Sequence, residues 1–133
     1  MWVWPDLITG DSFLFEHEQN GGGGVYASLK LIRSTDRLIF KSPFTSNSQV
    51  SSTATVSDQN WHHVAVSMEG SNLNFIIDNT TEQKSGSSFA SPTSGNFNIG
   101  FSSVSATRFS GQMLEIRIWK SRSVPDLLAY AHS

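Results

Sequence analysis

The sequence predicts an all-β fold, with short antiparallel strands in a two-sheet sandwich forming one domain over residues 1–133 and ending in a short helix. Three observations carry that expectation. Period-2 alternation of apolar and polar residues recurs along the chain, as half-buried strands require. Turn residues separate these segments every 8–12 positions or so, the spacing of sandwiches and barrels. Nine Phe, four Trp and two Tyr supply core volume, while only 15% of residues are charged. That balance suits a Ser/Thr-decorated β surface better than a Lys/Glu-rich helical one.

Taken in order, Trp2-Val3-Trp4 reads as an opening strand. Ser12 to Glu18 follows, with Phe13, Phe15 and His17 on one face and Leu14, Glu16 and Glu18 on the other. Gly21 to Gly24 forms a flexible turn, after which Val25 to Ile32 alternates Val25, Ala27, Leu29 and Leu31 against Tyr26, Ser28 and Lys30. Arg37 to Lys41 and Val50 to Val56 are further strands, separated by turn-rich stretches. Trp61 to Met68 and Leu73 to Ile77 form a hairpin around Gly70, and Asp78-Asn79 is the next tight turn, with Asn tolerating positive φ. Ser85 to Gly95 reads as loop, and Phe97 to Ile99 and Gln112 to Trp119 as the closing strands. Pro125 and Asp126 then suit a helix start, with Leu127, Leu128 and Ala131 filling one or two turns. The expected core is Trp61, Val64, Val66, Phe75, Ile77, Ile116 and Ile118, and truncating Trp61 there would cost about 3–5 kcal/mol.

Composition excludes several functions. The net charge is −2 and no basic run stands out, so nucleic acid has no electrostatic footprint. Zero Cys removes a disulfide framework, a thiolate nucleophile and a Cys-based zinc site. The segment Met1 to Asp6 lacks the basic and apolar regions of a signal peptide. No apolar run approaches the roughly 20 residues that span a bilayer, so membrane insertion is not expected.

Trp61-His62-His63-Val64-Ala65-Val66 is the most specific motif, followed by a Gly-centred hairpin and a strand ending in Asp78-Asn79. Asn98-Ile99-Gly100, Phe109-Ser110-Gly111 and Glu115-Ile116-Arg117-Ile118-Trp119 follow in that order, and Trp2-Val3-Trp4-Pro5 opens the chain. From Trp2 to about Tyr130 this pattern resembles the laminin-G-like and concanavalin-A-like lectin/glucanase domains. The resemblance implies a jelly roll with a C-terminal helix, a non-catalytic binding or adhesion role toward carbohydrate or a protein surface, and an extracellular, virion or cell-surface setting. It also implies further N-terminal strands that this chain lacks, and Leu114 stands where the family often has Asp. An edge left open beside Gln112–Trp119 would favour a homo-oligomer.

Candidate chemistry follows from both lines. Glu16 and Glu18, two apart on a strand, lie about 6.6 Å apart along it. Their carboxyls could reach the ~5–5.5 Å separation that a retaining glycosidase needs. The family's glucanases use Glu, Asp and Glu on one strand face, and here the middle carboxylate is missing, which leaves an acidic, solvent-facing strand side. A glycoside hydrolase on Glu16 and Glu18, or a structural assembly subunit, are therefore the alternatives to a binding module. Adjacent His62 and His63 point to opposite faces and cannot share one ion, and the resemblance implies that His63 is a satisfied, partly buried strand residue. The resemblance makes Ca²⁺ possible, but Asp6, Asp11, Asp36, Asp58 and Asp78 each fit ordinary turn chemistry. The ligand-binding candidates are Trp4 and Tyr26 for stacking, with Glu16 and Glu18 beside them. Asn79-Thr80-Thr81 is a glycosylation sequon on a turn.

Overall fold

A computed structural model describes residues 1–7, 10–18, 25–41, 49–69, 71–85 and 95–118. The strands are β1 (Trp2–Pro5), β2 (Ser12–Glu18), β3 (Val25–Ile32), β4 (Arg37–Lys41) and β5 (Gln49–Thr55), then β6 (His62–Glu69), β7 (Asn72–Ile77), β8 (Thr80–Ser85), β9 (Phe97–Ile99) and β10 (Gly111–Leu114). They form two five-stranded antiparallel sheets, ordered β10-β1-β6-β7-β8 and β5-β4-β3-β2-β9. Among the described residues there is no helix, and the expected C-terminal turns from Val124 lie outside them.

The two sheets bury one core between them. Val3, Val64, Leu73, Phe75 and Ile77 come from the first sheet, and Leu14, Leu29, Leu31, Leu38 and Phe40 from the second. Directly paired residues share a face, so Val64↔Ile77 and Val66↔Phe75 turn inward together. Val64, Phe75 and Ile77 are buried as expected, and Val66 packs against them.

Three members of the expected core are not in it. Ile116 and Ile118 are exposed because β10 stops at Leu114. Glu115 takes a left-handed φ of 50°, which breaks the alternation that had placed both isoleucines inward. Trp61 sits ahead of β6 and is 37% exposed, with its ring against Trp4 rather than in the core.

β2 departs from simple alternation. Its pairing with β3 shifts register between Phe13 and Phe15, and again between His17 and Glu18. Phe13 therefore opposes Lys30 while Phe15 opposes Leu29, putting the two aromatics on opposite faces. The single face expected for Phe13, Phe15 and His17 does not form. Phe15 joins the core row of Leu29 and Phe40, while Lys30 lies over the Phe13 ring at 5.7 Å.

β1 is flanked on both sides, by β10 and β6, so Trp2-Val3-Trp4 has no missing neighbour. Among the described residues that end of the sheet is β10, which is four residues long and lies within the stretch where the sequence placed an open edge. Gly111 makes that pairing feasible: at φ 141° its Cα lies so close to β1 that a Cβ would sit 2.1 Å from the Trp4 carbonyl oxygen.

On the opposite flank Glu82 of β8 reaches across to β5. Its carboxylate accepts the backbone N–H groups of Thr53, at 2.7 Å, and of Ala54. Lys84 adds a bond to the Thr53 hydroxyl at 2.8 Å. Two edge donors of β5 are thereby satisfied, and the sandwich is closed along that side.

Candidate functional site

Glu16 lies opposite Ser28 of β3 and Asn98 of β9. After β9 the chain folds back in a narrow hairpin, with the Gly100 amide donating to Leu14 O and the Phe109 amide to Gly100 O. That hairpin sets Ser102 and Ser103 on the Glu16 carboxylate. The Ser102 hydroxyl donates to Oε2 at 2.6 Å, and Ser103 donates its amide at 3.0 Å and its hydroxyl at 3.3 Å to Oε1. Glu16 is 0% exposed. The acidic, solvent-facing strand side is thus corrected: the carboxylate faces protein donors because the 100–109 hairpin folds over it.

Glu18 stays partly exposed and accepts from the Asn98 amide. Hydrogen bonds from the Ser103 hydroxyl and then from Asn98 hold its carboxyl below the ordinary value, against a desolvation contribution that raises it. Ser103 therefore contacts both glutamates. Asn98, which opposes Glu16 across β2 and β9, is the residue that donates to Glu18, and the register shift between His17 and Glu18 interrupts the alternation expected there.

Trp4 is half-buried, and its ring meets Trp61 edge to face, with centroids 5.8 Å apart and planes at 62°. Trp2 makes a similar contact with His63 at 5.4 Å. Trp2 pairs with His63 and Leu114, and Trp4 with Gln112, so both indoles lie on the face of the first sheet turned away from the core, where Val3 points. His63 is 3% exposed, the packed strand residue that the sequence suggested. Tyr26 lies on β3, and its side chain is outside the described residues.

The loop aspartates do more than shape their turns. Arg33, with a side chain 2% exposed, forms ion pairs with Asp58 and, at 3.6 Å, with Asp36, and it donates to the Asp6 carbonyl at 3.5 Å. Its amide donates to Asp11, whose other oxygen pairs with Lys30 at 3.3 Å. A guanidinium occupies the place where these acidic residues meet, and a like charge there opposes a divalent cation, so this cluster does not fit calcium. Among the described residues no three His, Asp or Glu side chains gather as metal ligands.

Sequence reasoning missed one polar chain. His62 points inward with the Val3 and Met113 row, opposite in sense to His63. Its Nδ1 lies 2.8 Å from Asp78 Oδ2 and its Nε2 3.0 Å from Ser57 Oγ. Asp78, not Asn79, takes the left-handed conformation of the β7–β8 turn, at φ 53°. From there its Oδ1 also accepts the His63 amide at 2.8 Å. No local pattern announces this, because Ser57, His62 and Asp78 belong to three different segments. Asn79 of the sequon is exposed on the same turn.

The family profile of the concanavalin A-like lectin/glucanases superfamily, in its laminin-G form, matches residues 1–126. The chain belongs to that superfamily. Its two antiparallel sheets are this family's jelly-roll sandwich, and the family holds both lectins and glucanases. Among solved structures the concanavalin A-like chain is similar to an S-layer domain-containing protein, residues 221–444, from Clostridium thermocellum. The identity is 19% and the TM-score 0.49, over 94% of this chain and 64% of that one. The chain thus spans under two thirds of that structure. No curated protein matches it. Among the described residues no helix is long and apolar enough to cross a membrane.

Proposed function

We propose that this concanavalin A-like domain is a carbohydrate-binding module that does not hydrolyse its glycan and uses Trp4 and Trp61 as its platform. The observation that carries this reading is the edge-to-face indole pair at the margin of the first sheet, with Trp61 37% exposed. Two rings inclined at 62° leave an indole surface turned to solvent, against which the apolar face of a sugar ring packs. Gln112, exposed and paired with Trp4, supplies an amide donor and acceptor for sugar hydroxyls. An aromatic anchor with a few polar groups beside it is the usual composition of a small-ligand site.

Glycoside hydrolysis on Glu16 and Glu18 is the weaker reading. Glu16 is shielded from water and its oxygens already accept three hydrogen bonds, which leaves it poorly placed to exchange a proton with a glycosidic oxygen. The test is a glycan array followed by titration of the hits by tryptophan fluorescence. Binding that falls at least about tenfold in both Trp4→Ala and Trp61→Ala supports the platform. Glycan binding indifferent to both substitutions, or release of reducing sugar from β-glucans that vanishes in Glu16→Gln, overturns it.

A further inference from the structure

We propose that Ser57 is a nucleophilic serine, activated by His62 and Asp78 for acyl transfer from small activated esters. The atoms are paired in the required order. The Asp78 carboxylate can only accept, so the His62 nitrogen 2.8 Å away, Nδ1, carries the proton. In the neutral imidazole Nε2 is then the acceptor, and the group 3.0 Å from it is the Ser57 hydroxyl, which donates. Asp78 is itself held in place, because its second oxygen takes the His63 amide at 2.8 Å. This is the nucleophile, base and orienting carboxylate of serine acyl transfer, a geometry recognised by atoms and roles rather than by sequence position.

The surroundings decide what such a serine accepts. The His62 side chain is 12% exposed, so the imidazole is shielded. Ser57 is half-buried, and Gln59 and Asn60 just after it in the turn are exposed, so the proposed approach of a small acyl group is from the side of that turn. The Asn60 side-chain amide donates to Ser57 Oγ at 3.4 Å and to the Asp58 carbonyl at 2.9 Å, which sets a single side-chain donor beside the attacking atom. In the acylation step Ser57 Oγ bonds to the ester carbonyl carbon and its proton passes to His62 Nε2. The bond from that carbon to the leaving oxygen then breaks, and the departing alcohol takes the proton from His62. Water gives a proton to the same imidazole and adds to the acyl carbon; the bond from that carbon to Oγ then breaks, Oγ takes the proton back from His62, and the free acid leaves. One side-chain donor is a sparse oxyanion site, so acylation is expected to outrun turnover.

The same contacts would also tie the 57–60 turn to the 78–79 turn with no chemistry, and reactivity separates the two roles. The intact protein is treated with a fluorophosphonate probe and, separately, with p-nitrophenyl acetate, and adducts are located by peptide mass mapping. The expected result is Ser57 modified at least about tenfold faster than any other serine of the same chain, with stoichiometric release of p-nitrophenolate. His62→Gln and Asp78→Asn, confirmed as folded by their melting curves, should each lower that rate by about tenfold or more. Comparison among serines of the wild-type chain needs no variant, so loss of fold cannot obscure it. No adduct on Ser57, or adducts formed at equal rates on exposed serines elsewhere, overturns the proposal. Ser57→Ala should leave glycan titrations unchanged, since Ser57 lies outside the Trp4–Trp61 platform.

Discussion

Replacing Glu16 by Ala is the sharpest probe of how the second sheet is held to the 100–109 hairpin. Three donors converge on a carboxylate that is 0% exposed. The Ser103 hydroxyl belongs to an exposed residue and recovers water, so its loss costs little. The Ser102 hydroxyl, on a residue 1% exposed, and the Ser103 amide do not recover a partner as easily. A hydrogen bond to a charged acceptor contributes about 1.5–3 kcal/mol, so two of them put the loss near 3 kcal/mol. For a chain of 133 residues that corresponds to a fall in Tm of roughly 10 °C. Glu16→Gln should cost only about 1 kcal/mol, because its carbonyl keeps both Ser103 donors and the Ser102 hydroxyl can turn to accept from the new amide. Thermal unfolding by circular dichroism reads the totals, and amide hydrogen exchange at Ser103 reads the local effect. An Ala variant that melts within a degree or two of wild type, with Ser103 still protected, would refute this account of the hairpin.

Other perturbations follow from the same contacts. Burial alone would raise the Glu82 carboxyl, but the Ala54 and Thr53 amides outweigh it and hold it below its ordinary value of 4.5. A depressed folded value means the stabilisation is complete above pH 4.5 and is lost as pH falls through the lower folded value. Glu82→Gln should therefore melt below wild type at pH 7 and approach it in acid, and parallel curves across that range would contradict the assignment. Arg33→Ala strips Asp36 and Asp58 of their guanidinium and should cost about 3 kcal/mol in urea unfolding, whereas a loss under 1 kcal/mol would show the cluster to be solvated and slack. Trp61→Ala should cost about 2–3 kcal/mol, below the 3–5 kcal/mol of a fully buried aromatic, because the residue is already 37% exposed. A cost at the buried value would return Trp61 to the core.

Much of this protein was legible in the sequence by itself, since its local rules are strong. Alternation with period two marked β2, β3, β4, β6 and β7 within a residue of their ends, because one face of each must be apolar to bury. The Trp61–Ala65 motif and its companions pointed to the superfamily that matches residues 1–126. The packing of His63 followed from the resemblance to the family, and in the structure the Trp2 ring lies against it. What the tertiary structure decided lies where alternation fails or where distant segments meet. The register shifts in β2 turn Phe13 away from the face that Phe15 occupies, and no local preference marks a bulge of that kind. The left-handed turn at Glu115 ends β10 early and leaves Ile116 and Ile118 exposed. Glu16 looked like an exposed acid because its shielding donors lie more than eighty residues further on, in a hairpin whose placement only the packed sandwich determines. Ser57, His62 and Asp78 meet for the same reason, as sheet pairing sets β6 beside β7 and brings their end turns together. Hydrogen bonds between segments far apart in the chain form only once the sheets have fixed those segments in space, so they leave no periodic trace in the sequence.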